Sequence, residues 1–173
     1  INAKTIYVLP NNSNIILASN QAASIIEDKK LIVIPTKTIP QGITAMINFE
    51  LTRSADENEK AMLESLSTVK SGQLTYAVRD TSIDGKEIKK DNYLGLGDNG
   101  LASVGTDMDD TLIDMLSEFV DDESELISVY YGEDIDENKA EELVYKIEEK
   151  FDGVDVELQY GGQPVYYYIV SVE

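Results

Sequence analysis

The chain has 173 residues and a net charge of −19 at pH 7, and it contains no cysteine, histidine or tryptophan. These absences exclude thiol nucleophiles, disulfides, Cys/His zinc sites and histidine acid–base catalysis, although carboxylates, lysines and hydroxyls remain. Residues 1–106 carry 12 acidic and 11 basic side chains, whereas residues 107–157 carry 20 acidic and 3 basic. Such an acidic half disfavours nucleic acid and anionic membrane surfaces as partners. It is either a solubilising face or a patch that steers a basic partner.

The first third of the chain predicts a βαβ unit. Residues 5–9 form a β-branched and aromatic run, residues 15–26 carry a helical apolar stripe, and residues 31–34 are a second apolar run. Two strands joined by one helix within about 30 residues pair in parallel. Two further helices are predicted at residues 39–51 and 56–70.

The middle of the chain predicts β-hairpins. Residues 73–79 alternate as a strand, and Asp84-Gly85 and Asp98-Asn99-Gly100 are turn signals. Gly95 to Gly100 also match the G-x-G-x-x-G pattern of dinucleotide sites. Because a strand rather than a helix follows these glycines, the pattern favours a hairpin.

The last third predicts a helix that opens at Asp107 and then a second βαβ unit, with strands at 126–131 and 154–160 around a helix at 136–151. A Tyr-rich strand at 165–172 is expected at a sheet edge or as a hairpin partner. Asp134, Asp136 and Asn138 resemble the start of a calcium loop. Its glycine and glutamate positions are occupied by Lys139 and Tyr145, which favours a capped helix start instead.

The predicted fold class is α/β, with two small βαβ-containing subdomains, a hairpin-rich insert between them and mixed sheets. The change of charge near residue 106 predicts the boundary. Residues 1–106 form the first subdomain with the β-rich insert, and residues 107–173 form the acidic second subdomain.

Polar loops at the strand ends are the candidate binding residues, because ligands and partners contact the carboxyl ends of parallel strands. The alternative is that these residues are only helix caps and turns. The candidate partner-binding residues are Asn11, Asn12 and Asn14 after the first strand, Thr36, Lys37, Thr38 and Gln41 after the second, and Arg79 after the next strand.

Four separated segments carry a family resemblance: TIYVLPNNSNIILASNQAA, VIPTKTIPQG, VKSGQLTYAVRDTSIDG and YGGQPVYYYIVSVE. In this order they resemble the C-terminal domain of the FakA (YloV) family, the ATP-binding subunit of bacterial fatty acid kinase. The resemblance covers essentially the whole chain. Since the first residue is Ile1 rather than Met, we expect the chain to be part of a longer cytoplasmic polypeptide with no signal peptide or membrane span in this part.

The resemblance implies a parent subunit whose N-terminal domain is similar to the DhaL subunit of dihydroxyacetone kinases. The parent phosphorylates a fatty acid held by a separate carrier, FakB, and the acyl phosphate feeds phospholipid synthesis. ATP and magnesium belong to that N-terminal domain, so neither cofactors nor catalytic or metal residues are expected in this chain. A homodimeric parent is compatible with the resemblance.

The expected function is therefore non-catalytic docking of the FakB-type acyl-carrier protein. The alternatives are a small-molecule or acyl-sensing regulatory domain and an independent enzyme that uses carboxylates and lysine.

Overall fold

The computed structural model describes residues 2–83 and 85–173. Their contacts divide the chain into two compact units, Ile1–Val69 (the first unit) and Lys70–Glu173 (the second unit). The elements in chain order are β1 (Thr5–Val8), α1 (Ser13–Ile25), β2 (Lys30–Val33), α2 (Ile39–Ile47), α3 (Ala55–Ser65), β3 (Lys70–Tyr76), β4 (Thr81–Ile83), β5 (Lys86–Ile88), β6 (Tyr93–Gly97), β7 (Gly100–Gly105), α4 (Met108–Phe119), β8 (Leu126–Tyr131), α5 (Glu137–Lys150), β9 (Asp155–Tyr160) and β10 (Tyr168–Val172).

The first unit is built on the predicted βαβ motif. Strands β1 and β2 pair in parallel, from Thr5 opposite Lys30 to Val8 opposite Val33, and α1 connects them. Helices α2 and α3 supply the other side of a small core. Its buried apolar members are Ile32, Ile34, Ala45 and Met62. Helix α3 begins with a capping box, in which Ser54 and Glu57 satisfy each other's backbone N–H groups.

The second unit is a six-stranded mixed sheet with the order β7-β6-β3-β10-β8-β9. Strands β8 and β9 pair in parallel and are joined by α5, which confirms the second predicted βαβ motif. Helices α4 and α5 contribute fully buried side chains to one core with the sheet. These side chains are Leu112, Met115 and Leu116 from α4, and Ala140, Leu143 and Ile147 from α5.

The Tyr-rich C-terminal strand is central in the sheet, so the prediction of an edge position or a hairpin partner was wrong. Strand β10 lies between β3 and β8 and pairs antiparallel with both. All five of its residues are buried. Tyr168, Val170 and Val172 join the main core, while Ile169 and Ser171 are also enclosed. A central place pairs the backbone of β10 along both edges, which agrees with a strand whose five residues are all buried.

The division into units falls at Val69–Lys70 and differs from the predicted boundary at residues 106–107. Strands β6, β7 and β3, which precede residue 106, hydrogen-bond into the same sheet as β10, β8 and β9. The change of net charge near residue 106 is therefore a change in the composition of the surface, and it does not coincide with a break in the sheet.

The G-x-G-x-x-G segment forms the predicted hairpin, with Gly97 paired to Gly100 across the β6–β7 turn. The other turn signal, Asp84-Gly85, includes Asp84, which lies outside the described residues. On either side of it, Ile83 pairs with Lys86 in the small β4–β5 sheet. Within the described ranges, no helix is both long and apolar enough to cross a membrane.

Candidate functional site

The loops that follow β1 and β2 lie side by side at the carboxyl ends of the two parallel strands. The backbone N–H of Asn11 donates to the hydroxyl of Thr36 at 2.9 Å and so joins the loops. Asn12 caps α1 by accepting from the backbone N–H of Asn14 at 2.8 Å. The structure thus brings the predicted residues of these two loops together.

Some of these residues are buried and form hydrogen bonds within the loops. Thr36, Thr38 and Gln41 are buried. Thr38 caps α2 by accepting from the backbone N–H of Gln41, and the Gln41 side chain accepts from the N–H of Lys37 at 2.8 Å. The cap-and-turn alternative therefore describes Asn12, Thr38 and Gln41. Asn12, Asn14 and Lys37 are nevertheless exposed and accessible to a partner.

Arg79 belongs to the second unit. It is exposed in the connection between β3 and β4, because β3 ends at Tyr76 and does not reach residue 79 as predicted. Its guanidinium is accessible to a partner there.

Helix α2 presents its large apolar side chains to solvent. Its exposed residues are Ile39 (50 %), Ile43 (39 %), Met46 (55 %) and Ile47 (75 %). The residues it buries are small or polar: Pro40, Gln41, Gly42, Thr44 and Ala45. A helix of a self-contained domain normally turns its apolar stripe to the core. The reversed arrangement leaves an exposed apolar surface on α2, a feature typical of interaction sites.

A groove of about 470 Å³ runs along this face of α2, between the helix and the end of β1. Asn11 lies in its wall, in the left-handed conformation with φ 53°, which asparagine adopts more readily than most residues. The side-chain oxygen of Asn11 is buried and has no hydrogen-bond partner among the described residues. This oxygen is enclosed against Gly42, so it is an unsatisfied group of the groove wall and not an open acceptor.

Gly42 makes this geometry possible. A Cβ atom at position 42 would lie 2.3 Å from the Asn11 side-chain oxygen, so only glycine lets the helix approach the loop so closely. Gly42 and the apolar residues Leu9, Ile39, Ile43, Met46 and Ile47 complete the lining.

Sequence reasoning missed the apolar face of α2. Apolar residues at 39, 43, 46 and 47 have helical spacing, which usually indicates a core stripe. The signal in the sequence is the opposite stripe, where Gln41, Gly42 and Thr44 include no charged residue, unlike the solvent face of a typical amphipathic helix.

The acidic helix start at Asp136 is a cap, as predicted. Its carboxylate accepts from the backbone N–H of Asn138 at 3.1 Å, and hydrogen bonds from Asn138 lower the pKa of Asp136. Across residues 2–83 and 85–173, no group of three or more carboxylate side chains is placed to hold a metal ion.

Solved structures share the fold of this chain at low sequence identity. A DegV family protein of Corynebacterium glutamicum aligns with a TM-score of 0.69 and 11 % identity, over 98 % of this chain and 75 % of that protein. The fatty acid kinase B3 protein of Streptococcus pneumoniae, loaded with linoleic acid, aligns with a TM-score of 0.63 and 13 % identity, over 99 % of this chain and 72 % of that one. The chain therefore has the fold of these proteins.

Relatives found by sequence are more similar in sequence to this chain than these solved structures are. Protein YloV of Bacillus subtilis is 43 % identical over all 173 residues, and an uncharacterized protein of Staphylococcus aureus (strain MRSA252) is 46 % identical over 170 residues, which is 98 % of this chain. The chain spans 31 % of the length of each. The family profile for the C-terminal domain of FakA-like fatty acid kinase proteins matches residues 1–173. The chain belongs to this family of FakA-like C-terminal domains.

Proposed function

We propose that this chain is a non-catalytic docking domain, which holds a FakB-type acyl-carrying protein for an ATP-binding kinase subunit. The observation that carries the proposal is the reversed face of α2, whose exposed apolar side chains adjoin the open loops at the ends of β1 and β2. An apolar centre bordered by polar groups is the usual anatomy of a protein–protein interface.

Each part of the site has a role in this proposal. Ile43 and Ile47 form the apolar centre, while Asn12, Asn14 and Lys37 form the polar rim. Asn11 forms part of the wall of the groove that receives the carrier. Arg79 supplies a further polar contact from the second unit.

The chemistry of acyl phosphate formation explains the need for such a domain. A carboxylate held by one protein must be placed in line with a phosphate held by another, and positioning supplies much of the rate enhancement of phosphoryl transfer. In the proposal, ATP and Mg²⁺ are bound by the part of the longer protein that lies outside this chain, and this chain supplies orientation alone.

Calorimetric titration of the chain with the acyl-loaded carrier tests the proposal. We expect saturable binding at micromolar affinity or tighter. Ile43→Glu places a charge at the centre of the apolar face and should weaken binding at least tenfold, equivalent to about 1.4 kcal/mol. Leu51→Glu is the matched control, because Leu51 is 92 % exposed and lies outside the groove.

Equal affinity of the Ile43→Glu and wild-type proteins would contradict the proposed surface. Absence of binding by the wild-type chain would contradict docking altogether.

A second candidate function is acyl sensing. The α2 groove has the volume of a small-molecule site, and proteins of the same fold are described as loaded with heptadecanoic acid or linoleic acid. Under this alternative a saturating fatty acid raises the melting temperature, because a ligand at 100 times its Kd adds about 2.7 kcal/mol of stability. An unchanged melting temperature would exclude it.

A further inference from the structure

The second unit has a groove of about 510 Å³ at the carboxyl ends of its parallel strands β8 and β9. Tyr131 and Tyr160 are the last residues of these strands, and the parallel register places them opposite each other. Their rings lie 5.2 Å apart, with an angle of 56° between the planes. The two rings therefore form an aromatic wall of the groove.

Helix α5 adds carboxylates to this groove. Glu137, Glu141 and Glu148 lie on one stripe of the helix, at spacings of four and seven residues, and all three line the groove. None of them forms an ion pair with another described residue. The nearby Lys146 is paired with Asp109 at 2.6 Å. The groove therefore carries uncompensated negative charge beside aromatic rings.

Tyr131 supplies an observation that does not depend on charge. It is 8 % exposed and lines the groove, yet its hydroxyl has no hydrogen-bond partner in the part of the chain that the structure describes. Burial raises the pKa of Tyr131, and Glu137 and Glu141 raise it further. The residue is largely buried, and its neutral hydroxyl is left as an acceptor for an incoming N–H group.

We propose that this groove binds an arginine side chain from a basic segment of the partner protein. A guanidinium is planar, stacks on aromatic rings and donates several N–H groups in a fixed plane. The tyrosine wall offers the stacking surface. The glutamates and the Tyr131 hydroxyl offer the acceptors.

The inference rests on the proposed function, since it specifies the chemistry of a second contact with the docked protein. Charge complementarity selects the partner: residues 107–157 carry 20 acidic and 3 basic side chains, which favours a cationic segment.

The first test uses a peptide and needs no carrier. The blocked peptide acetyl-Gly-Arg-Gly-Arg-Gly-amide is titrated into the chain and followed by amide NMR. We expect saturable shifts at Tyr131, at Tyr160 and at Tyr145, which also lines the groove. The same peptide with citrulline in place of arginine keeps the shape and loses the charge, so it should cause none. Equal shifts with both peptides, or none with either, would overturn the inference.

The second test uses the acyl-loaded carrier and two matched double variants of α5. Glu141→Gln with Glu148→Gln removes two groove carboxylates, and we expect at least a fivefold weaker affinity. Glu142→Gln with Glu149→Gln changes the net charge equally at exposed positions outside the groove, and we expect less than a twofold change. Equal losses in both pairs would show that only overall charge matters and would overturn the inference.

The two tests separate this inference from the proposed function. If the wild-type chain does not bind the carrier, docking fails while the peptide titration still decides whether the groove accepts arginine. If the carrier binds and the groove variants bind as tightly as wild type, docking stands and the arginine site is overturned.

Discussion

The two βαβ motifs of this chain have the same connectivity and opposite burial of their connecting helices. In the second unit, α5 buries Ala140, Leu143 and Ile147 against the sheet. In the first unit, α1 buries no residue, and Leu17 and Ile25 are exposed. The comparison shows that topology determines where strand ends lie, whereas side-chain pattern determines which surfaces remain for a partner.

The free surfaces also differ in chemistry. The first unit offers isoleucine and methionine side chains on α2. Their burial against a partner releases water, and the free energy gained in this way depends little on salt. The second unit offers carboxylates and tyrosines, whose attraction to a cation is screened by salt.

The largest expected effect concerns the packing of the two connecting helices. Leu143→Ala removes a fully buried side chain from α5 and should lower the free energy of unfolding by about 2–5 kcal/mol. Leu17→Ala, at a position 69 % exposed on α1, should change it by less than about 0.5 kcal/mol. Urea denaturation measures both. Similar losses for the two variants would contradict the difference in burial.

Alkaline pH should act through the buried tyrosine of the second unit. Burial raises the pKa of Tyr168 above its ordinary value of 10.0. The folded state holds the Tyr168 proton more tightly than the unfolded state, whose pKa is the ordinary one. The stability linked to this difference is therefore fully present below about pH 10 and is lost as the pH rises further. Urea denaturation between pH 8 and pH 11 should show this loss in the wild type and a smaller one in Tyr168→Phe. An identical pH dependence of the two proteins would refute the assignment.

A smaller effect is expected at Asn11, which combines a buried unpaired oxygen with a left-handed backbone in the proposed binding groove. Asn11→Gly removes an unpaired buried oxygen and relieves a left-handed backbone. These gains exceed the extra chain entropy of glycine, so we expect the variant to be more stable by about 1 kcal/mol. Its affinity for the carrier should fall. Thermal denaturation and calorimetry measure the two quantities, and a variant that is both destabilised and fully active in binding would contradict the role of Asn11.

The smallest effect is a difference in salt dependence between the two surfaces. The affinity lost in Ile43→Glu should be similar in ~0.05 M and ~0.5 M salt, apart from the screened part of the new charge. The loss caused by Glu141→Gln with Glu148→Gln should shrink in high salt, because the wild-type attraction is itself weakened. Equal salt dependence of the two losses would remove the chemical distinction between the surfaces.

The local elements of the fold could be predicted from the sequence, and the long-range pairing could not. Both βαβ motifs follow from apolar runs and helical spacing within short segments. The place of β10 depends on β3, which lies about a hundred residues earlier in the chain. No local pattern reports that pairing, so a Tyr-rich terminal strand was wrongly placed at an edge.

The adjacency of the two candidate loops could be predicted from the sequence and their exposure could not, and their role in binding stays a prediction. The rule that partners meet the carboxyl ends of parallel strands identified the loops after β1 and β2. Residue type did not reveal that Thr36 and Gln41 are buried inside the loops. Nor did it reveal that α2 turns Ile43 and Ile47 outward, because that orientation depends on how Gly42 packs against Asn11.

The proposed docking surface on α2 is tested most directly by methyl NMR of the isoleucines during titration with the acyl-loaded carrier. The account predicts saturable shifts of the Ile39, Ile43 and Ile47 methyl groups and no shift of Ile127, which is fully buried in the second unit. Binding that leaves the methyl groups of Ile39, Ile43 and Ile47 unchanged would contradict it, and the reversed face of α2 would then need another occupant.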